Sequence, residues 1–408
     1  MQELKNLSHK IVIIGGGTAG ITVAAQLLRK DQALDIAIIE PAKKHYYQPM
    51  WTLAGAGIIN KEVTEREEAD VMPENVNWIK EFVTKIQASQ NYIETNNSKI
   101  NYDFLIVAPG LRLRPDLIEG LDGRLDHPGI GSIYDYNTVD HFFKELNTFK
   151  GGKAIFTMPN TAIKCGGAPQ KIMYLAQSLI KDNLGEGKFE TIFTSAKQSI
   201  FGIDIFSIEL NKVIARKNIK TKFGHDLKKV DLKNKKATYN IINGNGDVLN
   251  EVTLDYDLLH VTPPMTAHDF ILESDLIHED GPQKGWLDVD IHTLQHKKYK
   301  NIFSLGDVAG LPTAKTGAAV RKQAPVVVSN LLSLMADGEI KMPKEYNGYS
   351  SCPLVTDEGK VIMAEFGYDN VLLPSFPFNP AKERYSMWLI KRYLLPVLYW
   401  EFMLRGQA

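Results

Sequence analysis

The chain has 408 residues, 44% of them apolar and 23% charged, with 47 basic and 48 acidic side chains. At about 100–200 residues per domain this predicts two or three domains with ample core. The balanced charge argues against a nucleic-acid partner, because affinity for phosphate backbones needs a basic surplus. The two cysteines, Cys165 and Cys352, exclude a disulfide-stapled scaffold and any four-cysteine metal site made by this chain alone. They leave inert core thiols, one long-range disulfide or a redox pair.

The first ten residues lack an apolar stretch, so no signal peptide is expected. No uncharged apolar run reaches about 18 residues, so no spanning helix is expected either. Lys10–Ile14 reads as a strand, Ile21–Leu28 has helical spacing, and Asp35–Glu40 is a second strand. Tyr102–Ala108 is a further strand that ends at Pro109-Gly110. A second α/β section begins with the strand Lys153–Met158, a helix from about Pro169 to Ile180, and the strand Thr191–Ser195. Lys228–Ile242 is hairpin material, and Leu254–His260 reads as one strand stopped by Pro263-Pro264. Ile302–Leu305 is a strand leading to Gly306-Asp307, and Ala314–Leu332 is a long helix. From about Lys341 the chain becomes rich in proline and aromatic residues.

Gly15-x-Gly17-x-x-Gly20 lies between the first strand and its helix, with Glu40 closing the second strand. Gly15 permits a tight turn, Gly17 lets backbone approach a pyrophosphate, and Gly20 lets helix pack on strand. Free N–H groups at the helix start, with Thr18 and Ala19, face the phosphates, and Glu40 can accept from ribose hydroxyls. Asn301–Asp307 resembles the second flavin motif of the two-dinucleotide-domain flavoproteins. That resemblance implies that Asp307 binds the ribityl chain of FAD. It also implies that the helix starting near Lys315-Thr316 points at the flavin, where a helix N-terminus and a lysine favour negative charge. The second α/β section departs from this superfamily. Its strand runs into Pro159–Gly167 rather than a glycine fingerprint, and the next strand ends in Thr194-Ser195-Ala196 without an acid. A donor other than NAD(P)H is therefore expected. No Cys-x-x-Cys is present, and the ten histidines show no metal-ligand spacing.

Four segments carry a closer resemblance: His45–Leu53, Pro159–Leu175, His260–Met265 and Ser351–Val355. With them the chain resembles the sulfide:quinone oxidoreductases, in the two-cysteine branch that includes the mitochondrial enzyme. The resemblance implies an α/β fold of two Rossmann-like domains plus a C-terminal membrane-facing segment. The expected division is 1–115 with 287–340 for FAD, 116–286 for the second domain, and 341–408 for the quinone and membrane interface. It implies catalytic Cys165 and Cys352, with a cofactor set of Gly15, Gly17, Thr18, Ala19, Gly20, Glu40, Gln48, Pro109, Gly110, Asp307, Lys315 and Thr316. In the family mechanism sulfide attacks Cys352 of an oxidised pair, Cys165 leaves as a thiolate, and electrons pass through Cys165 to FAD. Lys164 and Lys171 lie close to Cys165 in sequence, and either favours that thiolate if it points inward rather than into solvent. The implied partners are hydrogen sulfide, a membrane quinone, and a small sulfur acceptor (a thiol, sulfite or sulfide). The rivals are a type II NADH:quinone oxidoreductase and a flavin-linked redox sensor.

Residues 381–408 hold five basic side chains (Lys382, Arg384, Lys391, Arg392, Arg405) against Glu383 and Glu401, among many aromatic and aliphatic ones. That mixture suits a monotopic segment lying in a membrane interface. Pro396 is expected to split it into two short helices. The expected location is the cytoplasmic side of a membrane, peripheral, with a homodimer left open.

Overall fold

The computed structural model describes residues 4–408. Among them, seven strands form a sheet in which Asn77–Ile79, Ile36–Ile39, Lys5–Ile14, Ser98–Val107, Tyr92–Thr95 and Val83–Gln87 lie side by side. Ile302–Ser304 joins parallel to the C-terminal end of Ser98–Val107. The apolar runs Ile11–Ile14 and Ile36–Ile39 are fully buried, side by side in the parallel part of the sheet. The helix Thr18–Lys30 packs against Gly317–Asp337, which brings the two flavin-type motifs together from opposite ends of the chain.

A second, fully parallel sheet runs Ile130–Gly131, Leu258–His260, Gly152–Met158, Phe189–Ser195 and Lys220–Phe223. The helix Ala168–Leu184 packs on it and carries the Cys165 loop at its N-terminal end. An antiparallel sheet of His225–Asp231, Lys236–Ile242 and Val248–Asp255 flanks it. The single strand expected over Leu254–His260 is in fact two. Val248–Asp255 closes the antiparallel sheet, and Leu258–His260 enters the parallel one. The break is anchored at Asp257, whose carboxylate accepts the Lys153 N–H at 2.9 Å, while Tyr256 N–H donates to Lys235 O at 3.0 Å.

The hairpin Ser350–Asp357 and Lys360–Phe366 places Cys352 opposite Ala364. The chain then ends in continuous helical turns from Tyr385 to Met403 rather than two helices split at Pro396. Ile390–Leu394 and Leu398–Met403 are π-type turns, with Leu395 N–H donating to Ile390 O. The wider hydrogen-bond step on both sides lets the helical path absorb a proline that has no N–H to donate. No helix among the described residues is long and apolar enough to cross a membrane.

Candidate active site

The two cysteines, far apart in the chain, meet. Cys165 Sγ and Cys352 Sγ lie 3.8 Å apart as free thiols, Cys165 half-buried and Cys352 buried. Cys165 sits in the left-handed region at φ 52°, where a non-glycine residue costs energy and needs external support. Its N–H donates to Lys315 O at 2.8 Å, and its own carbonyl accepts from Ala168 N–H at 2.9 Å and Tyr134 Oη–H at 3.3 Å. Met265, from the segment after His260, accepts the Lys164 N–H on its sulfur at 3.3 Å. Gly167 completes the seat. A Cβ there would collide with Cys352 Sγ and Leu354 Cδ2, so only hydrogen lets the sulfur approach.

One dipeptide seats both cysteine segments. Lys315 bridges to Lys164 as a short parallel pair. Thr316 caps the helix Gly317–Asp337 by accepting from Ala319 N–H, and its hydroxyl lies 2.8 Å from Ser350 Oγ on the Cys352 strand. Gly306, at the start of the Asp307 turn, lies so close to the Thr18–Lys30 helix that a Cβ on it would meet Ala19 Cβ at 3.2 Å. The two motifs and the thiols thus share one region.

The charge around the sulfurs is asymmetric. The Cys352 thiol donating to Cys165, outweighing burial and helped by the Lys171 ammonium, holds the Cys165 thiol well below its usual range. Cys352 is pushed well above it by the same shared proton and by burial. Lys171 Nζ is 3.2 Å from Cys165 Sγ. Burial pulls Lys171 down, yet the thiolate wins and its ammonium is held above the ordinary range. Burial presses Lys164 and Lys315 down to about 8, and Asp307, beside both lysines, upward.

Lys391 was not legible as a site residue. Counted with the basic C-terminal surface, it is instead 1% exposed, with Nζ donating to Pro49 O at 2.6 Å. Burial, and repulsion from Lys171, push it down to about 7, partly opposed by the two cysteines. Nothing in its local sequence separates it from the neighbouring Arg392. Within the tail Arg405 pairs with Glu401, while Glu383 pairs with Arg216 outside it.

The glycine loop fits a dinucleotide. Gly15 has φ 98°, and a Cβ on it would strike Ala108 O. Among the described residues, a Cβ on Gly17 or Gly110 would meet no atom within 4 Å beyond its chain neighbours, so open space lies where a phosphate and its neighbours would enter. Glu40 accepts from Gly16 N–H at 2.7 Å and Ala42 N–H at 2.8 Å, which orients the carboxylate at the end of its strand. Pro109 O accepts from the His268 ring at 3.2 Å, and Gln48 is exposed on the turn Gln48–Met50. Around it His45, Tyr47, Met50 and Trp51 are buried.

Residues 9–150 match the family described as pyridine nucleotide-disulphide oxidoreductase. The chain is 40% identical to "Sulfide:quinone oxidoreductase, mitochondrial" of Mus musculus, over 98% of this chain and 87% of that protein. It is also 40% identical to the protein of the same name from Dictyostelium discoideum, over 100% of this chain and 88% of that one. The structure superimposes on the sulfide:quinone oxidoreductase of Aquifex aeolicus with a TM-score of 0.80 at 20% identity, covering 99% of this chain and 92% of that one. With a cysteine pair, a flavin-type loop and full-length relatives of one kind, the chain belongs to the sulfide:quinone oxidoreductase family.

Proposed function

We propose that this chain is an FAD-dependent sulfide:quinone oxidoreductase that oxidises hydrogen sulfide to sulfane sulfur. The observation that carries the reading is the thiol pair at 3.8 Å with an ammonium 3.2 Å from one sulfur, seated on the Lys315-Thr316 dipeptide. A disulfide needs the sulfurs about 2.05 Å apart, so closing the bond takes a side-chain adjustment of under 2 Å. From the oxidised pair, hydrosulfide bonds to Cys352 sulfur, the disulfide breaks, and Cys165 departs with the electron pair as a thiolate. Lys171 stabilises that leaving group, which is what makes exchange fast. Cys352 then carries a persulfide. A nucleophilic acceptor (a thiol, sulfite or a second sulfide) takes the outer sulfur and leaves Cys352 as a thiolate. Bound FAD supplies the two-electron acceptance that restores the oxidised pair and delivers electrons to quinone. Gly15, Gly17, Thr18, Ala19, Gly20 and Glu40 would hold its adenosine diphosphate part. Gln48, Pro109, Gly110, Asp307, Lys315 and Thr316 would surround the remainder.

The proposed division is 1–115 with 287–340 for the cofactor, 116–286 for the second Rossmann-like unit, and 341–408 for the quinone side. Contact with a membrane is supported by Tyr385, Leu389, Tyr393 and Val397, exposed at steps of four along the terminal helical turns, with Leu394 and Phe402 beside them. Peripheral attachment on the cytoplasmic side follows as the proposed location. The NADH rival is disfavoured by the loop after Met158. There Asn160 N–H donates to Asp226 at 3.1 Å and Lys197 Nζ donates to Asn160 O at 3.2 Å, so the chain's own groups occupy the turn.

The test is anaerobic flavin reduction by sulfide in Cys165→Ser and Cys352→Ser. Each variant should lose it by several orders of magnitude. Near-normal reduction in either would sink the mechanism.

A further inference from the structure

A hydrogen-bonded chain outside the sulfur chemistry runs from the C-terminal segment into the glycine loop. Tyr399, on the last helical turns, is buried, and its Oη lies 2.7 Å from Thr18 Oγ1 and 2.6 Å from His45 Nε2. His45 Nδ1 is 3.3 Å from Glu68 Oε2, and both of these side chains are buried too, at 4% and 2% exposure. The other carboxylate oxygen, Glu68 Oε1, has no hydrogen-bond partner among the described residues and lies against Gly16, where a Cβ would stand 2.9 Å from it. Gly17 is exposed and Thr18 half-buried, so the Thr18 hydroxyl stands between the tyrosine and the open side of the loop.

Each hydroxyl has one hydrogen to give. Without an anion at the loop, Thr18 can give its hydrogen to Tyr399, Tyr399 to His45 Nε2, and His45 Nδ1–H to Glu68. With a phosphate present, Thr18 gives its hydrogen outward, so Thr18 Oγ1 must accept from Tyr399 Oη–H. Tyr399 oxygen then accepts from His45 Nε2–H, and the contact between His45 Nδ1 and Glu68 takes a hydrogen of its own, carried by one of the two. Burial holds the Tyr399 phenol far above its ordinary range, so it stays protonated and available as that donor. The ring is fixed by Tyr47 at 4.5 Å and Trp400 at 5.0 Å.

We propose that Tyr399 is a positioning residue of the cofactor's phosphate site, supplied by the C-terminal segment, so that FAD and the docked segment stabilise each other. The inference rests on the FAD reading above. By linkage, whatever the docked segment adds to FAD affinity, FAD adds to docking.

The test follows release of FAD fluorescence from the purified holoenzyme after dilution. Tyr399→Phe keeps the ring and removes the hydroxyl, and should release FAD about three- to tenfold faster, the range of one lost hydrogen bond. Thr18→Val should do the same, Thr18→Ser should behave like wild type, and Tyr399→Phe should add nothing in the Thr18→Val background. A packing role alone would leave FAD release unchanged, or make the two effects additive, and either result overturns the proposal. A second measurement needs no variant. At the dilution where the wild-type holoenzyme releases FAD, added free FAD should slow proteolysis within residues 381–408, and cleavage independent of FAD also overturns it. A purified wild-type chain that neither carries nor takes up FAD would instead refute the cofactor reading itself.

Discussion

Gly167→Ala is the most economical way to disturb the sulfur pair without removing either sulfur. Gly167 has ordinary right-handed dihedrals (φ −88°, ψ −10°), so alanine imposes no backbone strain. The added methyl group falls on Cys352 Sγ and Leu354 Cδ2, well inside the 3.4 Å at which ordinary contact begins. Leu354 is fully buried, so little relief comes from that side, and the sulfur has to retreat by roughly 1 Å. A displacement of that size at reacting atoms costs about 10²-fold in rate. Overpacking at such a site costs about 1–3 kcal/mol of stability. The assay is stopped-flow reduction of the bound flavin by saturating sulfide, with flavin content and thermal midpoint measured on the same preparation. Full flavin content with reduction slowed about 10²-fold is the expected result. Reduction within threefold of wild type would show that the closeness of Cys352 to the 165–167 turn is not what the reaction uses.

Three further outcomes follow from the same geometry. Lys171→Met removes the ammonium 3.2 Å from Cys165 Sγ, so the thiol titrates at higher pH. The acid limb of alkylation of the reduced enzyme by iodoacetamide should move to higher pH, and an unmoved limb contradicts the assigned role. Lys391 has its folded pKa lowered to about 7 from 10.5. The unfolded chain therefore binds more protons between those values, and stability from this group rises with pH across that window. Below pH 7 the burial penalty is fully present, so Lys391→Met should stabilise the protein by a few kcal/mol at pH 6, less the lost hydrogen bond to Pro49 O of about 1–2 kcal/mol. The gain should vanish toward pH 10, and a pH-independent difference in chemical denaturation would refute the assignment. Replacing Leu389, Tyr393 and Val397 together with serine should weaken sedimentation with anionic lipid vesicles at least tenfold, since each buried apolar side chain contributes about 1.5–3 kcal/mol. Unchanged sedimentation removes that face from the membrane contact.

The parts of the site set by local backbone needs were readable in the chain. The spacing of Gly15-x-Gly17-x-x-Gly20 with Glu40 could be read directly, while the Asp307 turn and the cysteine contexts at 165 and 352 were read through the family resemblance they carry. What was hidden depends on tertiary approach. That Lys315-Thr316 seats both cysteine segments cannot be seen before the Cys165 loop and the Ser350–Asp357 strand meet there. The terminal segment looked basic and interfacial by composition. Its pattern could not say that Lys391 turns inward to Pro49 or that Tyr399 reaches Thr18. Pro396 was read as a break because helix rules assume a step of four, and π-type turns on both sides escape that assumption. The Leu254–His260 run was read as one strand because hydrophobicity does not register the change of sheet at Asp257.

The central claim is that sulfide, through Cys165 and Cys352, is what reduces this enzyme. Anaerobic mixing of the FAD-loaded protein with sulfide in one syringe and NADH in another tests it directly, with the flavin absorbance as readout and a soluble quinone added afterwards. Rapid bleaching by sulfide, reoxidation by quinone and no comparable bleaching by NADH are the predicted results. Fast reduction by NADH with sulfide inert would contradict the account.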